Sequence, residues 1–154
     1  MTAIHLMKLA AAAQQHPDWQ ALGLDTMERV HIAVMSEPFL TMVFAGTKTV
    51  ESRFALHRIA PYQQVRAGDS VLMKAGPIVG CFEAAWVKNF QLDPLTVSDM
   101  RAEYSTAIAG DDAFWESKKD KRYATLIGIK NVARLTPMPI PKSDRRGWVC
   151  IKVS

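Results

Sequence analysis

The chain has 154 residues, 49% of them hydrophobic and 22% charged, which suits one folded domain and argues against disorder. A formal net charge of +4, from 19 basic and 15 acidic residues, permits a polyanionic partner without demanding one. No apolar run approaches the ~20 residues that span a bilayer, and Cys81 and Cys150 have no neighbouring ligand pair, so neither a membrane span nor a zinc site is expected.

In chain order, residues 2–15 read as an alanine-rich helix with Ile4, Met7 and Leu9 near one face. Pro17 ends or restarts it, and residues 18–22 read as one more turn closed by Gly23. Residues 1–27 are thus expected as an N-terminal helical extension packed on the outside of a main domain, residues 28–154. Leu9 to Ala13 superficially resembles the end of a signal peptide. No basic residue precedes its apolar stretch, however, and His5 and Lys8 interrupt it. The expectation is a cytoplasmic protein with two buried, reduced thiols.

Residues 30–35 alternate Val30, Ile32 and Val34 against His31, Ala33 and Met35, a first strand. Residues 36–44 read as a short helix, capped by Ser36, with Pro38 in its first turn and Gly46 as a left-handed stop. A strand follows over 48–54, then a loop over 55–64 with His57, Arg58 and Pro61. Strands are expected over 70–75 and 78–90, the second bent at Gly80. A helix over 96–109 has a capping-box-like Thr96 and Asp99, a buried stripe of Val97, Met100, Tyr104 and Ile108, and a stop at Gly110. Asp111 or Asp112 caps a further turn with Phe114, Trp115 and Glu116, and the basic cluster Lys118, Lys119, Lys121 and Arg122 comes next. A long strand over 122–135, a proline-rich extended connection over 136–141, a polar turn over 143–147 and a last strand over 148–153 complete the chain. Some six strands and three or four helices that do not strictly alternate predict an α+β fold: a closed or nearly closed β-barrel with helices on its rim.

The most informative stretch is Gly46-Thr47-Lys48-Thr49-Val50-Glu51-Ser52-Arg53. It places an ammonium, a carboxylate and a guanidinium at a helix-to-strand junction, where a rigid frame can hold functional groups. Strict alternation puts Thr49, Glu51 and Arg53 on one strand face and Lys48, Val50 and Ser52 on the other. Lys48 can therefore meet Glu51 only from the turn before the strand or through a bulge. Two readings follow: an ion-pair network that fixes the junction, or a cavity for a polar ligand. Arg53 suits a phosphate or base edge, Glu51 an exocyclic amine, and Lys48 a phosphate. A single-stranded or flipped base also needs an aromatic face. Trp115 and Tyr123, which flank the basic cluster, are the leading candidates, with Tyr62 behind them; Trp86 and Trp148 read as core.

The Gly-x-Lys-x-x-Glu-x-Arg pattern, here Gly46, Lys48, Glu51 and Arg53, resembles the signature of ASCH domains, relatives of the RNA-binding PUA domains. The later Gly68-Asp69-Ser70-Val71 and Gly147-Trp148-Val149 occur in the family's order, so the resemblance covers residues 30–153. It implies a PUA-like barrel that takes single-stranded RNA or a modified nucleoside, without a cofactor. One branch is implied to deacetylate N4-acetylcytidine, with a lysine as base, a threonine as nucleophile and a helix glutamate as proton donor. Lys48 matches the lysine and Glu103 the helix glutamate, but Glu51 stands where the threonine would be. Glu51 would then activate water while Lys48 polarises the carbonyl. Another branch is implied to be ribonuclease. The motif residues, Thr49, Glu103, Trp115, Tyr123 and the Lys118–Arg122 cluster form the predicted site. No Gly-rich phosphate loop, zinc-deaminase pattern or nucleophile-elbow serine is present.

Overall fold

The computed structural model describes residues 7, 9–11, 14–140 and 146–152. Six strands form one mixed sheet in the spatial order β2-β5-β4-β3-β1-β6. They are β1 (Arg29–Val34), β2 (Val50–Ala55), β3 (Ser70–Lys74), β4 (Ile78–Gln91), β5 (Tyr123–Met138) and β6 (Trp148–Lys152). Among the described strands only β1 and β3 pair in parallel; the other neighbouring pairs are antiparallel. The helices are α1 (Pro17–Leu22), α2 (Phe39–Ala45), α3 (Pro94–Ile108) and α4 (Asp112–Lys118), with a 3-10 turn at Leu24–Thr26.

β1 is buried on both faces because it runs between β3 and β6 under two separate cores. Val30 and Ile32 join Leu72, Ile78, Val149 and Ile151 on one face, where Leu9, Trp19 and Leu24 from the N-terminal segment cover them. That cover is also pinned by polar groups. The Trp19 indole donates to the Thr136 carbonyl at 2.7 Å, and the Asp18 carboxylate accepts from the Thr136 amide at 2.6 Å. On the other face Ala33 joins Val43, Val71, Met73, Phe82 and Trp148. A third core lies under α3 and α4, around Val50, Met100, Ile108, Trp115 and Leu126.

Several boundaries differ from the sequence expectation. Ser36 does not cap α2. Pro38 occupies the N-cap after a cis Glu37-Pro38 bond, and the Glu37 carboxylate accepts from the Thr41 amide at 2.9 Å. Gly46 ends this helix at φ 80°, as expected. α3 is capped by Asp93, which accepts from the Thr96 amide at 2.8 Å, so Thr96 is the capped residue and not the cap. The left-handed stop is Ala109 rather than Gly110. β2 begins at Val50, two residues later than expected, and β5 runs on through Met138 where a proline-rich connection was expected. Pro137 is tolerated where β5 has run past the end of β2 and its register with β4 shifts between Gly80 and Ile78. Of the two thiols, Cys81 is buried but Cys150 is only half-buried. Most of the predicted 2–15 helix, the connection and turn over 141–145, and Val153 lie outside the described residues.

The long strand β4 bends through three register shifts, the first beside Gly80. A side chain at Gly80 would put its Cβ 2.5 Å from the Phe44 ring and 2.9 Å from the Ala133 carbonyl oxygen, so the bend and the seating of α2 both depend on a bare backbone there. The bending brings the end strands of the sheet together. Arg53, on β2, reaches across to the β1/β6 side: its Nη2 donates to the Val34 carbonyl at 2.8 Å and its Nη1 to the Gly147 carbonyl at 3.3 Å. The half-barrel thus has a seam between β2 and β6, and a guanidinium spans it.

Candidate functional site

The site is built at that seam. Lys48 sits in the turn between α2 and β2, as its meeting with Glu51 requires. The turn is fixed by backbone bonds: the Thr47 and Lys48 amides both donate to the Met42 carbonyl, and the Thr49 amide donates to the Ala107 carbonyl. From there the lysine turns inward and is only 2% exposed. Its ammonium donates to the Ile108 carbonyl at 2.6 Å, lies 4.0 Å from a Glu51 carboxylate oxygen and sits 5.0 Å from the centre of the Phe39 ring. The Ile108 carbonyl belongs to the last turn of α3, whose dipole favours a cation. Burial nevertheless dominates and lowers the lysine's pKa; Glu51 raises it and Arg53 lowers it further.

Glu51 is 5% exposed. Its Oε1 accepts from the Ser52 amide at 2.7 Å, and its Oε2 lies 3.6 Å from Arg53 Nη2. The Arg53 guanidinium also stands 5.2 Å from the centre of the Trp148 ring. The three charges therefore converge on an open cavity of about 290 Å³. Val34, Met35 and Ser36 form one wall, and Phe39, Phe54 and Phe114 supply aromatic surface. Lys118, at the end of α4, closes the rim with its ammonium 4.9 Å from the Phe114 ring centre. Burial, the neighbouring Lys121 and Arg53 lower its pKa, against a smaller opposing pull from Glu51.

Ser52 was not singled out from the sequence, because alternation assigns it to the face away from Glu51. It nevertheless lines the cavity, and its buried hydroxyl has no hydrogen-bond partner. Phe39 and Phe114 were also missed as lining residues, since their spacing reads only as helix core.

A second cavity of about 160 Å³ adjoins the first and shares Arg53 and Phe54 with it. Pro61, Tyr62, Tyr123 and Trp148 line it, and Ile59, 60% exposed, stands at its edge. Tyr62 and Tyr123 pack with ring centres 5.0 Å apart, and the Arg58 guanidinium lies 5.4 Å from the Tyr123 ring centre. Trp148 is set from behind. Its indole N–H donates to His31 Nδ1 at 3.1 Å, and His31 Nε2 contacts Asp69 at 2.9 Å. An indole N–H can only donate, so Nδ1 accepts and the His31 proton resides on Nε2.

Other predicted residues fall elsewhere. Trp115 is core, not a stacking platform: it is 3% exposed and packs edge-on against Phe54 and Phe114. The short helix α4 turns this ring toward β2, away from the cavities. Glu103 is on the exposed side of α3 and does not line the Lys48 cavity; the stripe that faces the sheet is Val97, Met100 and Ile108. Gly46 and Thr49 shape the turn through backbone geometry and are absent from the cavity wall. The basic cluster divides: Lys118 lines the main cavity, whereas Lys119, Lys121, Arg122 and Tyr123 line a separate groove against residues 91–94. Tyr123 is common to this groove and the aromatic cavity. Among the described residues, no three His, Cys, Asp or Glu side chains gather as a metal-ligand set, and no helix is long and apolar enough to cross a membrane.

No protein-family model and no curated protein sequence matches this chain. Solved structures do. An ASCH protein from Zymomonas mobilis superposes with a TM-score of 0.57 at 14% identity, over 71% of this chain and 73% of that one. A serine-to-alanine variant of the Zymomonas protein gives a TM-score of 0.58 at 14% identity, over 73% of this chain and 75% of that chain. A tyrosine-to-phenylalanine variant gives 0.56 at 13% identity, over 71% and 75%. With its six-stranded mixed half-barrel and rim helices, this chain has the α+β fold of the ASCH structures.

Proposed function

We propose that the Lys48–Glu51–Arg53 cavity binds single-stranded RNA or a modified nucleoside. One observation carries this reading: a nearly buried carboxylate is held between an ammonium and a guanidinium, yet opens into a cavity with aromatic walls. Charges that served only to fix the junction would not need that opening. Glu51 accepts the exocyclic amine of a cytosine- or adenine-type base, and Lys48 and Lys118 balance the negative charge of carboxylate and phosphate. The phenylalanine rings replace the water shed by the base.

The test is titration calorimetry against a panel of nucleosides and short RNAs, with Glu51→Gln and Lys48→Met beside the wild type. Glu51→Gln keeps the shape and removes the charge. Loss of about tenfold or more in affinity is expected, on the scale of one charge-assisted hydrogen bond. A wild-type protein that binds none of the panel, or a Glu51→Gln protein that binds it equally well, refutes the proposal.

A second reading is hydrolysis of an N4-acylated cytidine, and it is favoured by an unpartnered Ser52 hydroxyl that shares a cavity lining with Lys48, a lysine whose pKa is lowered by burial. This reading requires Lys48 to give up its proton first: the hydroxyl then adds to the acyl carbonyl as its own proton passes to the lysine. The amine then leaves with that proton, and water releases the acyl group from Ser52. Mass spectrometry of an acetylcytidine incubation decides between the two: turnover abolished by Ser52→Ala supports hydrolysis, and binding without product leaves the first reading alone.

A further inference from the structure

A third concavity, of about 500 Å³, lies further along the same side of the sheet and is lined by Arg29, Gln63, Gln64, Arg66, Cys150 and Lys152. Three of these side chains are cationic and none is a carboxylate. Arg29 and Lys152 are direct cross-strand partners on the antiparallel β1/β6 pair, an arrangement that costs stability between like charges. Asp69 offsets it only in part. Its Oδ2 accepts from Arg29 Nε at 2.9 Å, but the same oxygen also contacts His31 Nε2 and the Arg66 amide, each at 2.9 Å. Among the described residues, the Arg66 guanidinium and the Lys152 ammonium have no ion-pair partner, and both side chains are exposed. Two side-chain amides complete the lining, and amides can donate to an anion.

The groove is continuous in the chain with the aromatic cavity. Trp148, Cys150 and Lys152 lie on one face of β6, opposite Ala33, His31 and Arg29; Trp148 lines the aromatic cavity and the other two line the groove. The loop after β2 does the same: Pro61 and Tyr62 face the aromatic cavity, Gln63, Gln64 and Arg66 the groove. Gln63, in the left-handed region at φ 57°, makes the change of side, with its amide donating to Asn89 Oδ1 at 2.9 Å. Trp148 and Lys152 are four residues apart on an extended strand, about 13 Å. A mononucleotide cannot occupy both the aromatic cavity and the far end of the groove.

We propose that Arg29, Arg66 and Lys152 form a phosphate-binding subsite, and that the full ligand is a single-stranded oligonucleotide lying across the aromatic cavity between this subsite and the Lys48 cavity. A cationic groove next to an aromatic pocket suits a polymer of alternating phosphates and planar bases. An acidic peptide supplies the charge but not the stacking rings. The inference rests on the reading of the Lys48 cavity as a nucleic-acid site, and chain length separates the two.

The experiment measures affinity for RNA and DNA of one, two, four and six nucleotides, and for a hexaglutamate peptide, across a salt series. It compares wild type, the Arg66→Glu/Lys152→Glu double variant and Lys48→Met. Arg29 is left intact because Asp69 holds it. Wild-type affinity is expected to rise with length up to four or six nucleotides. The double variant is expected to lose about tenfold or more on the hexanucleotide, to leave the mononucleotide unchanged, and to flatten the salt dependence by about 1.4 in log–log slope for two lost contacts at ~0.7 each. Affinity independent of length, or a double variant that binds the hexanucleotide like wild type, overturns the groove while leaving the Lys48 cavity standing. Length-dependent binding that falls in the double variant but ignores Lys48→Met keeps the phosphate subsite and overturns the path of the ligand to the Lys48 cavity. Tighter binding of hexaglutamate than of either hexanucleotide overturns the assignment of the occupant, and thermal melts confirm that the variants fold.

Discussion

His31 is buried completely, yet it carries two polar contacts, one to Asp69 and one from Trp148. Burial lowers its pKa from 6.5; the Asp69 carboxylate pulls the other way and Arg29 adds to the lowering. Protonation at Nδ1 would also set two N–H groups against each other at Trp148. In the unfolded chain the imidazole takes up a proton below pH 6.5, whereas the folded one resists it. Over that window the unfolded state holds more protons, so stability falls as the solution is acidified from 6.5 toward the folded-state value. The slope from this one group is at most about 1.4 kcal/mol per pH unit. Denaturant titrations from pH 7 to 5 should show the loss, and His31→Gln should remove that component whatever it does to absolute stability. An unchanged slope in the variant would mean that other groups carry the effect. At this scale Lys48, Glu51 and Arg53 were legible in the sequence, because a lysine, a glutamate and an arginine after a helix-stopping glycine form a local pattern. Ser52 was not: its place in the cavity lining depends on Val34, Phe39 and Phe114, all distant in sequence or on other elements.

Among the elements, β4 shows how a long strand is made to curve. Its register shifts beside Gly80, where the Phe44 ring packs against bare backbone. Gly80→Val is expected to destabilise the protein by about 1–3 kcal/mol through overpacking, read as a lower denaturation midpoint. The displaced Phe44 would shift α2 and with it the turn that carries Lys48, so ligand affinity should fall as well. A variant as stable as wild type would show that α2 can move at little cost. The bend at this glycine was expected from sequence; the reason for it was not, because Phe44 and Gly80 meet only after the sheet has formed. Helix ends divided similarly. Gly46 and Asp111 acted as their residue types suggest, whereas Glu37 and Asp93 displaced the expected caps Ser36 and Thr96. Each of these carboxylates reaches an orphan helix amide from a position one to three residues away from the cap predicted by pattern.

For the molecule as a whole, the decisive feature is the seam between β2 and β6. Arg53 closes it with hydrogen bonds to two carbonyls, and it separates the two cavities that flank the seam. A lysine in its place has one compact ammonium and cannot span both acceptors while keeping contact with Glu51 and the Trp148 ring. Arg53→Lys should therefore cost about 1.5–3 kcal/mol, the range for a hydrogen bond to a charged group. It should also speed amide exchange at Trp148 and Val149, near the edge of the sheet that the guanidinium holds. Unchanged exchange there would mean that the sheet keeps its curl without the clasp.

The sequence by itself determined the α+β class, nearly every strand and helix, and the meeting of three charges at one junction. Each follows from local period, turn chemistry and spacing over a few residues. Only the tertiary structure decided that Trp115 belongs to the core, that Glu103 is exposed and lies outside the cavity lining, that the basic cluster lines two separate concavities, and that Trp148 and Lys152 carry one face of β6 from an aromatic pocket into a cationic groove. Those outcomes depend on which way a sheet curls and which distant side chains then share a wall, and no period of two or 3.6 residues encodes that.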